Sequence, residues 1–301
     1  MNDSDLAALL PPVSDHANKY TRGSLLVLAG SSRFPGAALL AARAAARTGA
    51  GYVTLACPAP AAQIAQCHLL SVPVIAAPSE EGGFSANAWE YIKGQLNHID
   101  AVVLGPGITI SPAISAFVQS VCRNVRAPLL MDADALNILA AVCGKEGTPP
   151  PCLASRPPSG SPSRLPSAPL WQNLILTPHG GELKRLSDAT QTDSPEALAQ
   201  ALDCVVIAKG PTTQVASPTQ NTRLSAGSAA LARAGTGDVL SGVIGSLLAQ
   251  GVPAYDAGLG GVEIHGRAGL LAEQRLGRRS VCAEDVIEAL PTVIQQLDML
   301  M

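Results

Sequence analysis

Aromatic residues make up only 3% of the 301-residue chain, so Ala, Leu and Val have to fill its core. Charge is sparse as well. With 14% charged residues against 47% hydrophobic, the composition excludes a disordered chain and indicates a globular one with much of its length buried. A net charge of −3 shows no basic excess, which argues against nucleic acid or an anionic membrane as the main partner, though not against a local basic pocket. The seven cysteines, at 57, 67, 122, 143, 152, 204 and 282, contain no C-x-x-C pair. Their odd, scattered number suits reduced thiols better than a disulfide framework or a zinc site. No apolar run reaches the ~20 residues of a membrane span without a charge or a Gly/Pro break. Asp3 and Asp5 stand where a secretory signal would carry basic residues. The expectation is a soluble, cytoplasmic protein without membrane or nucleic-acid partners.

What the chain does have is a repeated pattern. Ser24–Gly30 reads as a buried strand, Ser31–Gly36 as a loop, Ala37–Thr48 as an Ala-rich helix and Tyr52–Ala56 as a second strand. This βαβ order requires parallel pairing. Short strands at 101–104, 129–131, 174–176 and 205–208 each run into glycine or polar residues. In an open α/β sheet, ligands bind outside the carboxyl ends of the strands, so these loops should meet at one crevice. The loop at 30–36 matches neither a Walker A motif nor G-x-G-x-x-G. Between Gly144 and Pro169 the pattern stops, and eight of the 24 prolines fall there. The expectation is one domain over residues 1–301, α/β with a mostly parallel sheet and helices on both faces, with a flexible Pro/Ser-rich insertion at 144–169.

The residues with chemistry gather at the strand ends. Gly235-Thr-Gly-Asp238 precedes an apolar helical run. Such a turn can aim several backbone N–H groups at one anion, while Asp238 takes a proton from a hydroxyl being phosphorylated. The plainer reading is a glycine turn with Asp238 favouring the helix start. Asp132 and Asp134 could hold Mg²⁺ through water, though Asp134 is better read as the cap of a helix starting at Ala135. His179 could donate to a polar ligand and Glu182 reach a metal-bound water, or Glu182 could simply stabilise a first helical turn. Lys209, Gly210, Pro211, Thr212 and Thr213 form a plausible clasp for a nucleotide's phosphates, against a solvated turn lysine. His265, in an apolar helical stretch, is read as a satisfied core or interface histidine.

Taken in order, the motifs resemble the ribokinase-like superfamily, and within it the ADP/ATP-dependent NAD(P)H-hydrate dehydratases. The matching pieces are Lys19-Tyr-Thr-Arg-Gly23, Phe34-Pro-Gly-Ala37, Thr48-Gly-Ala-Gly51, Gly105-Pro-Gly107 and Asp132-Ala-Asp-Ala-Leu-Asn137. They continue with Thr177-Pro-His179, Gly181-Glu182, Lys209-Gly210 and Ala234-Gly-Thr-Gly-Asp-Val-Leu240, so the likeness covers about residues 19–275. The resemblance implies repair of the S epimer of hydrated NADH or NADPH (NADHX, NADPHX). The hydrate hydroxyl is phosphorylated from ADP or ATP, and phosphate is then eliminated.

It also implies roles. Asp238 would be the base, Gly235, Thr236 and Gly237 the anion hole, and Lys209–Thr213 with Gly237 the nucleotide contacts. Ala37, Gly107, His179 and Asp238 would meet the hydrate, and Glu182 would organise Mg²⁺. A homotetramer is implied, with the companion epimerase on a separate chain. The sequence departs from the family in Gly180, where proline is usual, and in the length of the 144–169 insertion. Two other readings stand at this point: a vitamin-precursor kinase of the same fold, and a nucleotide sensor without turnover, which would have no need of Asp238.

Overall fold

The computed structural model describes residues 1–146 and 174–300; the expected insertion, from residue 147 onward, lies outside them. Nine strands form one sheet in the order β11-β10-β9-β8-β7-β6-β1-β2-β3. They are β1 Ser24–Leu28, β2 Tyr52–Pro58, β3 Val74–Ala77, β6 Ala101–Leu104, β7 Leu129–Met131, β8 Leu174–Leu176, β9 Val205–Ala208, β10 Thr213–Ala216 and β11 Asn221–Leu224. From β3 along this order to β9 every pairing is parallel, and only β10 runs the other way, pairing antiparallel with β9 and with β11. A separate two-stranded ribbon joins β4 (Ser79–Glu80) to β5 (Gly83–Phe84).

The short apolar runs are explained by burial on both faces, as in other helix-covered parallel sheets. Leu25 and Val27 of β1 enter one core and Leu26 and Leu28 the other. The first core is covered by α2 (Pro35–Arg47), α9 (Thr236–Ala249), α10 (Ala254–Leu276) and α11 (Ala283–Asp298). The second lies under α4 (Ala88–Lys93), α5 (Pro112–Asn124), α6 (Asp134–Glu146), α7 (Gly180–Thr190) and α8 (Pro195–Leu202). Helix α3 (Ala59–His68) flanks β3.

The shortage of aromatics is met by close helix approach. Ala38, Ala41, Ala42, Ala44 and Ala45 of α2 are buried, and a β-carbon on Gly242 of α9 would lie 2.2 Å from the Ala41 carbonyl oxygen. Only glycine fits there. Helix α1 (Asp3–Ala7) buries Leu6 and Ala7, and Leu6 sits against Gly260 of α10.

Candidate active site

Three consecutive strand ends carry the chemistry. Asp132 follows β7, Thr177 follows β8 and Lys209 follows β9, and the strands' shared register sets the three side by side. The Lys209 Nζ lies 2.7 Å from Asp132 Oδ1, with Asp132 only 1% exposed. Asp132 Oδ2 accepts a 2.6 Å bond from Ser241 Oγ of α9. Burial opposes the Asp132 charge, but Lys209, Ser241 and Thr177 outweigh it and hold the carboxyl below its ordinary range. Lys209 shows the reciprocal balance: burial works against its charge, and Asp132, Glu182 and Asp238 together raise its pKa. The expected phosphate lysine is therefore already paired, and it still reaches the turn. Its Nζ stands 3.5 Å from where a β-carbon on Gly237 would be.

That turn begins at Gly235, whose φ of +91° favours glycine, and Thr236 starts α9. The Thr236 hydroxyl is 2.7 Å from the Leu231 carbonyl and 2.8 Å from that of Arg233, so it braces the turn instead of facing outward. Asp238, partly buried, sits in the first turn of α9. Burial, then repulsion from Asp132, pushes its pKa up to about 7 against the pull of Lys209. A carboxylate so placed is matched to accepting a proton near neutrality.

His179 and Glu182 are joined at the start of α7. His179 is the N-cap of α7: its Nδ1 accepts from Gly181 N–H at 3.0 Å, and Glu182 returns the bond, accepting from His179 N–H at 2.9 Å. This reciprocal cap seats the junction. Glu182 is nonetheless buried, with its pKa raised by burial, and it interacts with Lys209 and Asp132. Asp134 does not cap α6 with its side chain as expected. It is the first residue of α6 and accepts from Thr109 N–H at 2.9 Å, which ties the loop after β6 to the loop after β7.

Gly107 and Ala37 meet directly: a β-carbon on Gly107 would be 2.8 Å from that of Ala37 and 2.9 Å from that of Phe34. Beyond Lys209, the Thr213 hydroxyl donates to the Gly210 carbonyl and Thr212 lies 3.4 Å from Ser225. Gly210, Pro211 and Thr212 thus form the turn into β10. A cavity of about 300 Å³, lined by Trp89, His98 and Arg126, lies before the amino ends of β6 and β7, at the other end of the sheet from these groups.

His265 is buried, but Nε2 of its ring has no hydrogen-bond partner, which corrects the expectation of a satisfied histidine. Among the described residues no three His, Cys, Asp or Glu side chains converge as a metal cage. The arrangement does suit a cation held chiefly by a ligand's phosphates. Asp132 repels both Glu182 and Asp238, Lys209 offsets each, and Mg²⁺ commonly takes few protein ligands and several waters.

A mostly parallel sheet with a glycine turn, an acid and a helix N-terminus at its carboxyl edge is the ribokinase-like α/β fold, shared with solved structures. A family model described as NAD(P)H-hydrate dehydratase matches residues 25–149 and 163–292, and the chain belongs to that family. It is 33% identical to the bifunctional NAD(P)H-hydrate repair enzyme Nnr of Salinibacter ruber over 97% of this chain and 52% of that protein. The chain spans about half the length of the first curated relatives it matches. It is also 30% identical to the ADP-dependent (S)-NAD(P)H-hydrate dehydratase of Xanthomonas campestris, over 93% of this chain and 91% of that one. The ADP/ATP-dependent NAD(P)H-hydrate dehydratase of Bacillus subtilis, co-crystallised with ATP/Mg²⁺, superposes with a TM-score of 0.76 at 25% identity, covering 98% and 97%. No described helix is long and apolar enough to cross a membrane.

Proposed function

We propose that the chain is an ADP-dependent (S)-NAD(P)H-hydrate dehydratase, a hydro-lyase that restores NADH or NADPH from the hydrate with release of AMP and phosphate. The observation that carries this reading is Asp238. It is a carboxylate with a pKa near 7 at the N-terminus of α9, one residue past a glycine that faces Lys209.

Hydroxide is a poor leaving group. Asp238 takes the proton of the hydrate hydroxyl as its oxygen attacks the terminal phosphorus of ADP, and the bond to AMP breaks. Phosphate then leaves with the electron pair of the broken carbon–oxygen bond, and the neighbouring carbon loses a proton to solvent, its C–H pair restoring the ring double bond. The N–H groups of Gly235–Gly237 stabilise the charge on the phosphoryl group in transfer, and Lys209, anchored by Asp132, supplies fixed positive charge. The turn Lys209–Thr213 and Gly237 hold the nucleotide, while Ala37, Gly107 and His179 line the hydrate pocket. Glu182 would reach the waters of a phosphate-bound Mg²⁺, whose chemistry is to neutralise phosphate charge. The chain acts as a homotetramer, and epimerase activity comes from sequence other than these 301 residues.

The test incubates the full chain with Mg²⁺, the hydrate and ADP or ATP, following dihydronicotinamide absorbance. Return of absorbance with ADP supports the reading, and return with ATP alone changes the nucleotide. No return with either, but phosphoryl transfer to another alcohol, replaces repair with a kinase activity. Asp238→Asn is expected to lower kcat by about 10²–10⁴-fold while leaving ADP binding in place.

A further inference from the structure

The chain has three phenylalanines, and two of them, Phe84 and Phe117, are fully buried and stacked on each other. Phe34 is 46% exposed, and none of the roles above uses it. A loose loop does not account for the difference. Gly30 N–H donates to the Pro106 carbonyl at 2.7 Å and Ser32 N–H to that of Gly82 at 2.8 Å. Phe34 N–H is shared between the carbonyl and the hydroxyl of Ser31, each at 3.2 Å. Across from it, a β-carbon on Gly107 would lie 2.9 Å from that of Phe34. A pinned backbone therefore holds this ring in solvent, where it forgoes the stabilisation that burying a phenylalanine brings.

The ring also stands in a particular place. Phe34 is the N-cap of α2, and the same helix reaches the phosphate turn, since a β-carbon on Gly235 would lie 2.7 Å from Leu40 Cδ1. Six residues separate Phe34 from Leu40, which is about 9 Å of helix. Ala37 and Gly107 meet beside Phe34 within that interval. The Arg33 guanidinium lies over the Phe34 ring, 5.5 Å from its centroid, an attraction that helps to fix the ring's plane. Hydration leaves the nicotinamide nitrogen conjugated through one double bond to the carboxamide, so the hydrate keeps a flat, weakly polar face that suits such a ring.

We propose that Phe34 is a specificity-determining residue for the hydrate: its ring is the platform on which that flat face lies, with the hydroxyl-bearing carbon turned towards Asp238. This inference rests on the reading of Ala37 and Gly107 as part of the hydrate pocket. The test compares Phe34→Tyr, Phe34→Leu and Phe34→Ala with the parent in the full chain. It measures KM and kcat for the hydrate with ADP and Mg²⁺, the affinities for ADP and for NADPH by calorimetry, melting temperature, and oligomeric state by light scattering.

Phe34→Ala is expected to raise the hydrate KM and the NADPH Kd about 10–100-fold, the loss typical of an aromatic platform under a flat ring. Its kcat should stay within about threefold of the parent's, as for lost uniform binding. ADP affinity should not change, and the melting temperature should stay within about 2 °C, because an exposed ring carries little stability. Phe34→Tyr, which keeps the flat face, should match the parent, and Phe34→Leu, apolar but not flat, should fall between parent and Phe34→Ala. Unchanged hydrate KM and NADPH affinity in Phe34→Ala overturn the proposal, and so does a Phe34→Leu that matches the parent, because bulk alone then suffices. A loss that extends to ADP affinity, to melting temperature or to oligomeric state also overturns it, by making the ring structural or a contact between copies. If the parent converts no hydrate, the proposed function fails and the NADPH comparison decides the role of Phe34; a parent that binds no NADPH either overturns both.

Discussion

Replacing Asp238 with asparagine should stabilise the ligand-free protein in alkaline buffer and leave it nearly unchanged in acid. In the unfolded chain an aspartate titrates near 3.9, whereas in the fold burial and Asp132 raise the Asp238 pKa to about 7. Between these values the native state keeps a proton that the unfolded state has released. The native state binds more protons there, so stability falls as pH rises from about 4 to about 7 and stays low beyond. At about 1.4 kcal/mol per pK unit, the three units amount to about 4 kcal/mol at pH 8. Asp238 is partly solvated, and solvent relaxation can halve that figure. Asparagine does not titrate, so any fixed cost of the amide is the same at every pH and cancels in the comparison. The assay is thermal and urea unfolding of both proteins at pH 5 and pH 8, in chelator and without nucleotide. The variant's advantage should grow by about 1–3 kcal/mol between the two pH values, since part of the effect is already spent at pH 5, or roughly 2–5 °C for a chain of this size. An advantage that is equal at both pH values, or larger at pH 5, would refute the raised Asp238 pKa and weaken its assignment as base.

Lys209→Met leaves Asp132 charged and buried beside Ser241 and Thr177, and it should cost about 3–5 kcal/mol in urea unfolding. Adding Asp132→Asn should recover much of that loss, whereas simple additivity of the two changes would show that the pair is not coupled. Gly180→Pro should raise stability by about 0.4–1 kcal/mol, since Gly180 is the first residue of α7, His179 before it is extended, and a β-carbon there meets nothing. Gly105→Ala should cost more than about 2 kcal/mol, because its φ is +129° and the new carbon would fall 1.9 Å from the Asp132 carbonyl oxygen. If the proposed mechanism holds, kcat/KM should rise about tenfold per pH unit up to about pH 7 and then level off, as proton uptake by Asp238 requires.

The strands were legible because short apolar runs ending in glycine or acid have few other uses. The runs at 101–104, 129–131, 174–176 and 205–208 are strands over those same residues. Their common destination at the carboxyl edge followed from parallel pairing alone. The ion pair between Asp132 and Lys209 could not be read, since the partners are 77 positions apart and only the register of β7, β8 and β9 joins them. Asp134 looked like a cap because a short acid before a helix usually is one. Here a neighbouring loop offers Thr109 N–H, and the carboxylate turns to it. The burial of Leu6, which follows Asp3, Ser4 and Asp5, could not be read either, since it depends on α10, more than 240 positions away. His265 resists sequence reading for a similar reason, since the length of helix around it looks like ordinary core.

Helix α9 has no face turned to solvent: from Val239 to Ala249 each residue is buried, with α2, α10 and the sheet packed around it. Amides in such a helix exchange with deuterium only when the whole domain opens. The turn at Gly235–Gly237 is thus rooted in what should be the slowest-exchanging part of the molecule. Nucleotide binding there should register along α9 as a uniform extra protection equal to the gain in global stability, about 2.7 kcal/mol at a hundredfold excess over Kd. The loops at the strand ends, which lack that anchorage, would show a local slowing of their own.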